Sequence, residues 1–404
     1  MATAFVASGM RLLAPALLVS SIPVVAQSWT QLPDFPGIER DDASAFTIGT
    51  DIYVGTGMDV GFQLTNDWYR FNTLTNSWSP VASLPAAGRQ YCSSFELDGN
   101  GFLFGGVVNG TATNELWRYD PATDTWTQRA SNMDSCSAST AFVLDGAGHV
   151  VSGNLASGLP CNFHWVYDAA ADEWTLATPL PGPPLHRAAS FVDEGTAWVT
   201  AGSIAPLYAV AESYAYLPLT GTWTSRAPLP QPRFSGDAVG VPDGGVFVCG
   251  GTYDPPSVAH DEVWHYAAST DTWQTYPPLP AGTRRGGVIA FVPPNKVFYG
   301  AGSDNVVRYR DWWMLELPVG IGKLATVPFS LSPVPADASL RVSLQEGTFS
   351  GDLRITDLEG RTVLHTRMAG NTITIPTASL ASGTYVIGLR NEKGVSSTRF
   401  MVLH

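Results

Sequence analysis

Apolar residues along this chain fall in short runs, and glycine, proline, aspartate and asparagine stand between the runs. Residues 89–95, 101–106, 114–120 and 125–128 form four such runs, separated by turn sequences such as Asp98-Gly99. Short runs bounded by turn residues predict β-strands joined by tight reversals. No stretch has a convincing amphipathic helix period, so the pattern predicts an all-β protein.

Aromatic residues return at a nearly constant interval. One series, spaced 48 to 50 residues apart, is Trp29, Trp78, Trp126, Trp174, Trp223 and Trp273. A second series lies nine or ten residues before the next member of the first and comprises Trp68, Trp117, Trp165, Tyr214 and Trp264. Repeats of about fifty residues with four short strands each predict a propeller, in which these aromatics pack one blade against the next.

The two ends of the repeat array predict how it closes. The sixth repeat has no closing tryptophan after Trp313, whereas residues 29–33 read as a fourth strand without a repeat of their own. We therefore expect a six-bladed propeller closed by the N-terminal strand, which leaves no open edge. The glycine pair Gly105-Gly106, the Trp-Arg-Tyr-Asp-Pro element at 117–121 and the spaced second tryptophan resemble kelch repeats, over residues 29–316.

Composition divides the chain into four segments. Residues 1–26 carry one positive charge, an apolar run and a small-residue end, which predicts a secretory signal peptide whose initiator is Met1 or Met10. Residues 27–316, the predicted propeller, hold 29 acidic and 13 basic residues, a net charge of -16 that should repel nucleic acid. A linker at 317–328 precedes a final segment, 329–404, that has no tryptophan and more basic than acidic residues. After signal removal we expect no membrane span.

The C-terminal segment alternates apolar and polar residues at period two, which predicts a small immunoglobulin-like β-sandwich. It resembles the C-terminal sorting domain of proteins exported by the type IX secretion system of Bacteroidota. Matching elements are Pro333 and Pro335, the turn at 357–360, Leu380 with residues 383–385, and Arg399, although Val334 stands where the family usually has asparagine. The resemblance implies contact with the secretion machinery, passage through the periplasm, removal of this domain, and release or attachment at the outer-membrane surface.

Arginines recur where the chain enters each predicted blade, and these segments share one face with the loops between second and third strands. The candidate ligand-binding residues are Arg40, Arg89, Arg187, Arg233, Arg284, Arg285 and His186. Because guanidinium suits carboxylates and sulfates, they predict an anion site for an acidic sugar or a peptide carboxylate. The alternative is that each arginine pairs internally with Asp41, Asp67, Glu115, Asp237, Asp261 or Glu262.

A catalytic function has weaker support in the sequence than a binding function. Some bacterial kelch propellers isomerise sialic acid, and Glu39, Glu115, His186 and Glu212 could reach the mouth as acid or base. A galactose-oxidase-like copper enzyme shares the architecture, but no spacing selects its ligands from His164, His186, His260 and His265. Triads, phosphate loops and zinc motifs are absent from the sequence, so we expect no metal and no cofactor.

The four cysteines lie at 92, 136, 161 and 249. Cys136 and Cys161 fall on one face of the third repeat, and an oxidising destination favours a disulfide between them. Cys92 and Cys249 lie in separate predicted strands and read as buried free thiols.

Together these features favour a secreted or cell-surface monomer that acts as a non-catalytic binding module for an extracellular glycan or protein. A carbohydrate-active enzyme that uses the arginines, and a structural or adhesion protein that uses the blade edges, remain the alternatives.

Overall fold

The computed structural model describes residues 27–253, 257–318, 329–344, 349–357, 361–391 and 394–404. The predicted signal peptide at 1–26, residues 319–328 of the predicted linker and residues 358–360 of the predicted turn lie outside this part. The described residues are strands, turns and irregular segments, as the all-β prediction requires. No helix among them is long and apolar enough to cross a membrane.

The described residues between Ser28 and Glu316 form antiparallel sheets, which we number as blades 1 to 6 in chain order. Within a blade, hydrogen bonds join the first strand to the second, the second to the third and the third to the fourth. From first to fourth strand, blade 1 contains Ser44–Ile48, Asp51–Gly55, Trp68–Asn72 and Ser77–Val81; blade 2 contains Ser93–Leu97, Asn100–Phe104, Leu116–Asp120 and Thr125–Arg129; blade 3 contains Thr140–Leu144, Ala147–Leu155, Pro160–Asp168 and Glu173–Leu176. Blade 4 contains Ala189–Asp193, Thr196–Thr200, Ser213–Leu217 and Thr222–Arg226; blade 5 contains Asp237–Val241, Gly244–Tyr253, Ser257–Ala267 and Thr272–Tyr276; blade 6 contains Val288–Val292, Lys296–Gly300, Trp312–Glu316 and, as its fourth strand, Ser28–Leu32.

The N-terminal strand completes blade 6 through antiparallel pairing, from Ser28 opposite Glu316 to Leu32 opposite Trp312. Short two-residue strands lie in the connections: Arg40–Asp41 with Met58–Asp59, Val107–Val108 with Thr111–Ala112, Ser203–Ile204 with Tyr208–Ala209, and Cys136–Ser137 beside the end of Ala147–Leu155.

The regular tryptophan series joins each blade to its neighbour. The indole Nε1 of Trp78 donates to the carbonyl of Pro33, that of Trp126 to Ala82, and the other four make the same bond at 2.8 to 3.0 Å. Each indole of the series after Trp29 bonds a carbonyl 44 to 46 residues upstream, which belongs to the preceding connection. The packing role predicted for these aromatics is therefore confirmed.

A closed ring of backbone hydrogen bonds surrounds one end of the central channel. One residue just ahead of each first strand donates its N–H to the carbonyl of the next ring member, at 2.7 to 3.2 Å. In donor-to-acceptor order the ring is Asp42, Gly286, Ser235, Arg187, Ala138, Tyr91 and again Asp42. All six have φ between 50° and 58°, a left-handed conformation that turns N–H and C=O along the ring.

The C-terminal residues pair into two sheets that enclose a separate apolar core. One sheet contains Phe329–Ser332, Ser339–Leu344 and Thr372–Pro376; the other contains Phe349–Thr356, Thr362–Gly370, Gly383–Asn391 and Gly394–Val402. Alternate residues of Phe349–Thr356 are buried, as period two predicts. Leu380 and Tyr385, two residues of the sorting-domain resemblance, are buried in this core.

Candidate functional site

Four of the predicted ligand arginines lie inside the protein. Arg40, Arg89, Arg233 and Arg284 are at most 2% exposed. Each forms an ion pair with an acidic residue just ahead of the third strand of its blade or, in blade 5, within it: Arg40 with Asp67, Arg89 with Glu115, Arg233 with Glu262 and Arg284 with Asp311, at 2.6 to 3.0 Å. We call each of these pairs a junction clamp.

Arg40 shows how complete such a clamp is. Its Nη1 and Nη2 donate to the two carboxylate oxygens of Asp67 at 2.6 and 2.9 Å, and Nη1 and Nε also donate to the carbonyls of Thr56 and Ile38. A bidentate guanidinium with further carbonyl acceptors is the arrangement that offsets the cost of burying charge. The four clamped arginines therefore pair internally, as the alternative in the sequence analysis has it, and their buried guanidinium groups are not presented to an external ligand.

Arg187 and Arg285 lie at the mouth, together with two residues of the backbone ring. Arg187 Nη2 donates to the Tyr91 hydroxyl at 3.1 Å, and its guanidinium lies 4.9 Å from the Tyr91 ring centroid. The Tyr91 hydroxyl in turn bonds the Asp42 carboxyl group. Arg285 lies on the other side of that carboxyl group, with Nη1 at 3.8 Å from Asp42 Oδ2.

Burial decides the charge state of Asp42. The pKa of its carboxyl group is raised to about 6, first by burial and then by the neighbouring Asp41 carboxylate, against the opposing effect of Arg285, Arg187 and the Tyr91 hydrogen bond. Gly286 allows this packing, since a Cβ there would lie 2.3 Å from Asp42 Oδ1. Asp42 is therefore ionised at neutral pH but protonates within the mildly acidic range.

Asp41 is held by a third arginine that the sequence analysis did not select. Arg308 Nε donates to Asp41 Oδ1, and its guanidinium stacks 4.7 Å from the ring centroid of Phe62. The mouth thus gathers three guanidinium groups and two carboxylates, Asp41 and Asp42. With Asp42 ionised, these five groups carry one net positive charge.

Several polar atoms at this mouth are buried without a hydrogen-bond partner in the described part of the chain. They include Arg187 Nε, Arg285 Nη1, Asp41 Oδ2 and Asp42 Oδ2, and two atoms of the clamped arginines, Arg89 Nη1 and Arg233 Nε, also lack a partner. Buried N–H groups that lack an acceptor cost free energy until an acceptor arrives. A carboxylate placed between Arg187 and Arg285 would supply that acceptor.

His186 does not act as a cation in this site. It is buried, and burial followed by the nearby charge of Arg187 lowers its pKa to about 4. The imidazole is neutral at neutral pH, so the predicted contribution of His186 to anion binding does not fit the structure.

Below the ring, the channel is lined by three consecutive residues from the first strand of each blade or just ahead of it. Its volume is about 190 Å³, and most of its lining side chains are serine, alanine or other small residues. Asp237 is the acidic exception, and burial raises the pKa of its carboxyl group well above the ordinary value, with a further contribution from Asp42. The channel is therefore narrow and carries little charge of its own.

Cys136 and Cys161 meet at the junction of blades 2 and 3. Both are buried free thiols in the structure, and the pKa of Cys136 is raised first by its hydrogen bond to the Cys161 sulfur and then by burial. The two thiols are therefore in contact, and the disulfide between them stays a prediction. Cys92 and Cys249 are also free thiols, with pKa values raised by burial.

The predicted histidine candidates are dispersed. His164 bonds His149 inside blade 3, and His265 stacks on Tyr276 in blade 5. Within the described ranges, no group of three or more His, Cys, Asp and Glu side chains is placed to hold a metal ion.

Comparison with known proteins agrees with this architecture. The sequence model described as the Attractin/LZTR1 beta-propeller matches residues 52–307. The chain belongs to this propeller family. Residues 330–403 match the secretion system C-terminal sorting domain, which implies interaction with the secretion machinery and export to the outer-membrane surface or beyond. The resemblance to a kelch-type propeller with a sorting domain is thereby confirmed.

Similar individual proteins cover less of the chain. N-acetylneuraminate epimerase of Shigella sonnei (strain Ss046) is 34% identical over 85 residues, which are 20% of this chain and 23% of that protein. The Escherichia coli (strain K12) protein of the same name is 33% identical over 85 residues. The matched segment thus spans about a quarter of these relatives. A solved structure of YjhT aligns with a TM-score of 0.62 at 17% identity, over 70% of this chain and 95% of that one, which shows a shared fold.

Proposed function

We propose that this chain is a secreted, closed six-bladed propeller that binds an anionic group of an extracellular glycan or protein at the mouth formed by Arg187, Arg285, Tyr91 and Asp42. The observation that carries the proposal is that Arg187 and Arg285, unlike the four clamped arginines, are partly exposed and both act on the Asp42 carboxyl group at the mouth. The guanidinium of arginine is well suited to bind a carboxylate. The sorting domain accounts for the extracellular destination.

The proposal predicts a pH dependence. Asp42 is faced by Asp41, Arg285, Arg187 and Tyr91, and Asp237 acts on it from the channel wall. At pH values above the pKa of Asp42, which is about 6, its ionised carboxylate competes with a bound anion for the two guanidinium groups. Protonation removes that competitor, so affinity for the anion should rise as the pH falls through this value.

A thermal-shift titration of the chain spanning residues 27–404 tests the proposal, with glucuronate, N-acetylneuraminate and an acetylated aspartyl peptide as anions and galactose as neutral control. We expect a shift that grows with anion concentration and is lost in R187A and R285A. R310A is the matched control, because Arg310 also lies on the mouth side but is about half-exposed and, among the described residues, forms its ion pairs with Asp34 and Glu39. Equal shifts in R285A and in the unchanged protein would overturn the proposal.

A second candidate function is isomerisation of a carboxylated sugar. Two observations favour it: the partial similarity to N-acetylneuraminate epimerases, and a carboxyl group with a pKa of about 6 that hydrogen-bonds a tyrosine at the mouth. A group whose pKa lies near the working pH is suited to proton transfer. Exchange spectroscopy of the sugar anomers should then show faster exchange with the unchanged protein and with R310A, but not with D42N. No acceleration by the unchanged protein would leave binding as the function.

A further inference from the structure

Exposed apolar side chains are concentrated on the face that carries the mouth. Twelve large apolar residues of the described propeller are exposed, and nine lie in connections that open on this face. They are Ile38, Val60, Phe62, Met133, Leu159, Tyr208, Val258, Val306 and Val307. Leu74 and Leu219 lie in turns on the opposite face, and Leu176 is on an outer strand. Exposed apolar residues gathered on one face of a soluble domain mark an interaction surface.

Five of these nine residues occupy the same place in different blades. Phe62, Leu159, Tyr208, Val258 and Val306 lie in or beside the connection between second and third strands of blades 1, 3, 4, 5 and 6. We call these five residues the apolar collar. Their exposed fractions range from 44% for Val258 to 89% for Val306.

The collar tips of blades 1 and 6 are fixed by their own turns. Asp59 Oδ1 accepts from the N–H groups of Gly61 and Gln63 around the exposed Phe62. Asp304 Oδ1 accepts in the same way from Val306 and Val307 at 2.8 and 2.7 Å. Carboxylate-capped turns of this kind hold a loop in one conformation. The apolar tips are therefore presented as part of a defined surface.

Direct contacts connect the collar to the charged mouth. The guanidinium of Arg308 stacks on the Phe62 ring and pairs with Asp41 at the mouth. Next to Val306, Asn305 accepts from Arg285 Nε and donates to the carbonyl of Ser257, beside Val258. The tips of blades 1, 5 and 6 thus adjoin the same cluster of arginines.

We propose that the mouth face docks a protein partner that inserts an acidic side chain or its C-terminal carboxylate between Arg187 and Arg285, while apolar residues flanking that acid pack on the collar. The inference rests on the anion site proposed above and names its partner class. Charge complementarity favours an acid at the centre, where Arg187 and Arg285 are partly exposed beside the Asp42 carboxyl group. The collar offers apolar area with few polar groups, which complements apolar side chains rather than sugar hydroxyls. Arginine and aromatic residues are enriched among the residues that dominate binding at protein interfaces.

The test selects short random peptides displayed on phage against the chain spanning residues 27–404. We expect enrichment of peptides that carry an aspartate, a glutamate or a free C-terminus flanked by apolar residues. Binding of a synthetic selected peptide should weaken about tenfold or more in F62S/V306S, in R285A, and when its acid is changed to the amide. The matched control is L74S/L219S, which removes two exposed apolar residues from the opposite face and should leave affinity unchanged.

The outcomes separate this inference from the anion site on which it rests. Glucuronate binding that is lost in R285A, together with peptides that bind F62S/V306S as well as the unchanged protein, would refute the protein partner and keep the anion site. Failure to enrich acidic peptides would also refute it. Peptides that depend on the collar but not on their acid or on Arg285 would refute the insertion of a carboxylate.

Discussion

The six junctions between blades fall into two groups. Four contain a buried ion pair, and the other two have an uncharged contact at the same position. At every junction one residue accepts a backbone hydrogen bond from a glycine of the preceding blade and sends its side chain into the next blade. At four junctions this residue is the clamp arginine, bound to an acidic residue of the blade it enters. At the start of blade 3 it is Cys136, which contacts Cys161, and at the start of blade 4 it is Leu185, which packs in an apolar cluster.

The difference shows that the backbone of the repeat does not require an ion pair. The carbonyls of Arg89, Cys136 and Leu185 accept from Gly57, Gly106 and Gly153 at 2.7 to 2.9 Å. A buried ion pair and a well-packed apolar contact have similar net stabilities, because the desolvation cost of the charges offsets their attraction. Once an ion pair is present, however, the removal of one member is costly. The predictions below test this contrast.

The largest effect of a single substitution is expected when one clamp arginine is removed. R89L leaves Glu115 without the guanidinium that, with the Trp117 indole, outweighs burial and keeps the pKa of Glu115 low. We expect the free energy of unfolding in urea to fall by about 2 kcal/mol, because Glu115 is 34% exposed and keeps its Trp117 hydrogen bond. R70L is the control, since Arg70 is 42% exposed and lies 3.7 Å from Asp51, and it should cost less than about 1 kcal/mol. Equal losses in the two variants would contradict a stabilising clamp.

The stability of the junction between blades 2 and 3, where Cys136 meets Cys161, should depend on redox conditions. A Cys136 to Cys161 disulfide in the oxidised protein would add about 3 kcal/mol by closing a loop of this size. Mass spectrometry of unreduced peptides should show the linkage, and reductant should lower the melting temperature of the unchanged protein but not of C136S/C161S. Alkylation of all four cysteines without reductant would rule the disulfide out.

Blade 3 should also be the acid-sensitive blade. His149 Nδ1 and His164 Nε2 lie 2.8 Å apart, and His164 Nδ1 bonds the Thr178 carbonyl. Burial lowers both pKa values to about 4, below the ordinary 6.5. The folded protein therefore binds fewer protons than the unfolded chain between these values, and the stability present above pH 6.5 should be lost as the pH falls toward 4.

We expect this loss to be about 5 kcal/mol for the pair of imidazoles, read from urea unfolding at a series of pH values. H149Q/H164Q should show a shallower decline, although His186, His260 and His265 also have lowered pKa values and keep part of it. An unchanged slope in the double variant would show that the pair is not the source.

The smallest effect is expected when the missing clamp is built. Glu212 occupies in blade 4 the position of the clamp acids, and its Oε2 accepts only from the Ala211 N–H in the described contacts. L185R offers it a guanidinium, and we expect the unfolding free energy to change by less than about 1 kcal/mol. L185R/E212Q is the control and should be several kcal/mol less stable, because the buried arginine then lacks its anion. Equal stability of the two variants would show that no clamp forms.

Repeat spacing predicted the strands and the aromatic contacts because both recur in every blade. The roles of the individual charged residues could not be predicted in the same way. An arginine at the start of a blade looks the same in the sequence whether it is clamped, like Arg89, or part of the mouth, like Arg187. Alignment of the repeats separates the two classes, since Arg187 is two residues beyond the clamp position, in register with Asp42 and Tyr91. That register was the available signal for Asp42, which the sequence analysis did not select.

The sequence by itself determined the all-β architecture, the period of the blades and the C-terminal sorting domain, because short-range patterns of apolar residues, glycine and tryptophan specify local strands and their repetition. Only the tertiary structure decided which arginines are buried, that Asp42 and Tyr91 join Arg187 and Arg285, and that the apolar tips gather on one face. These arrangements depend on contacts between residues as distant in the chain as Asp41 and Arg308, and on burial that no local pattern measures.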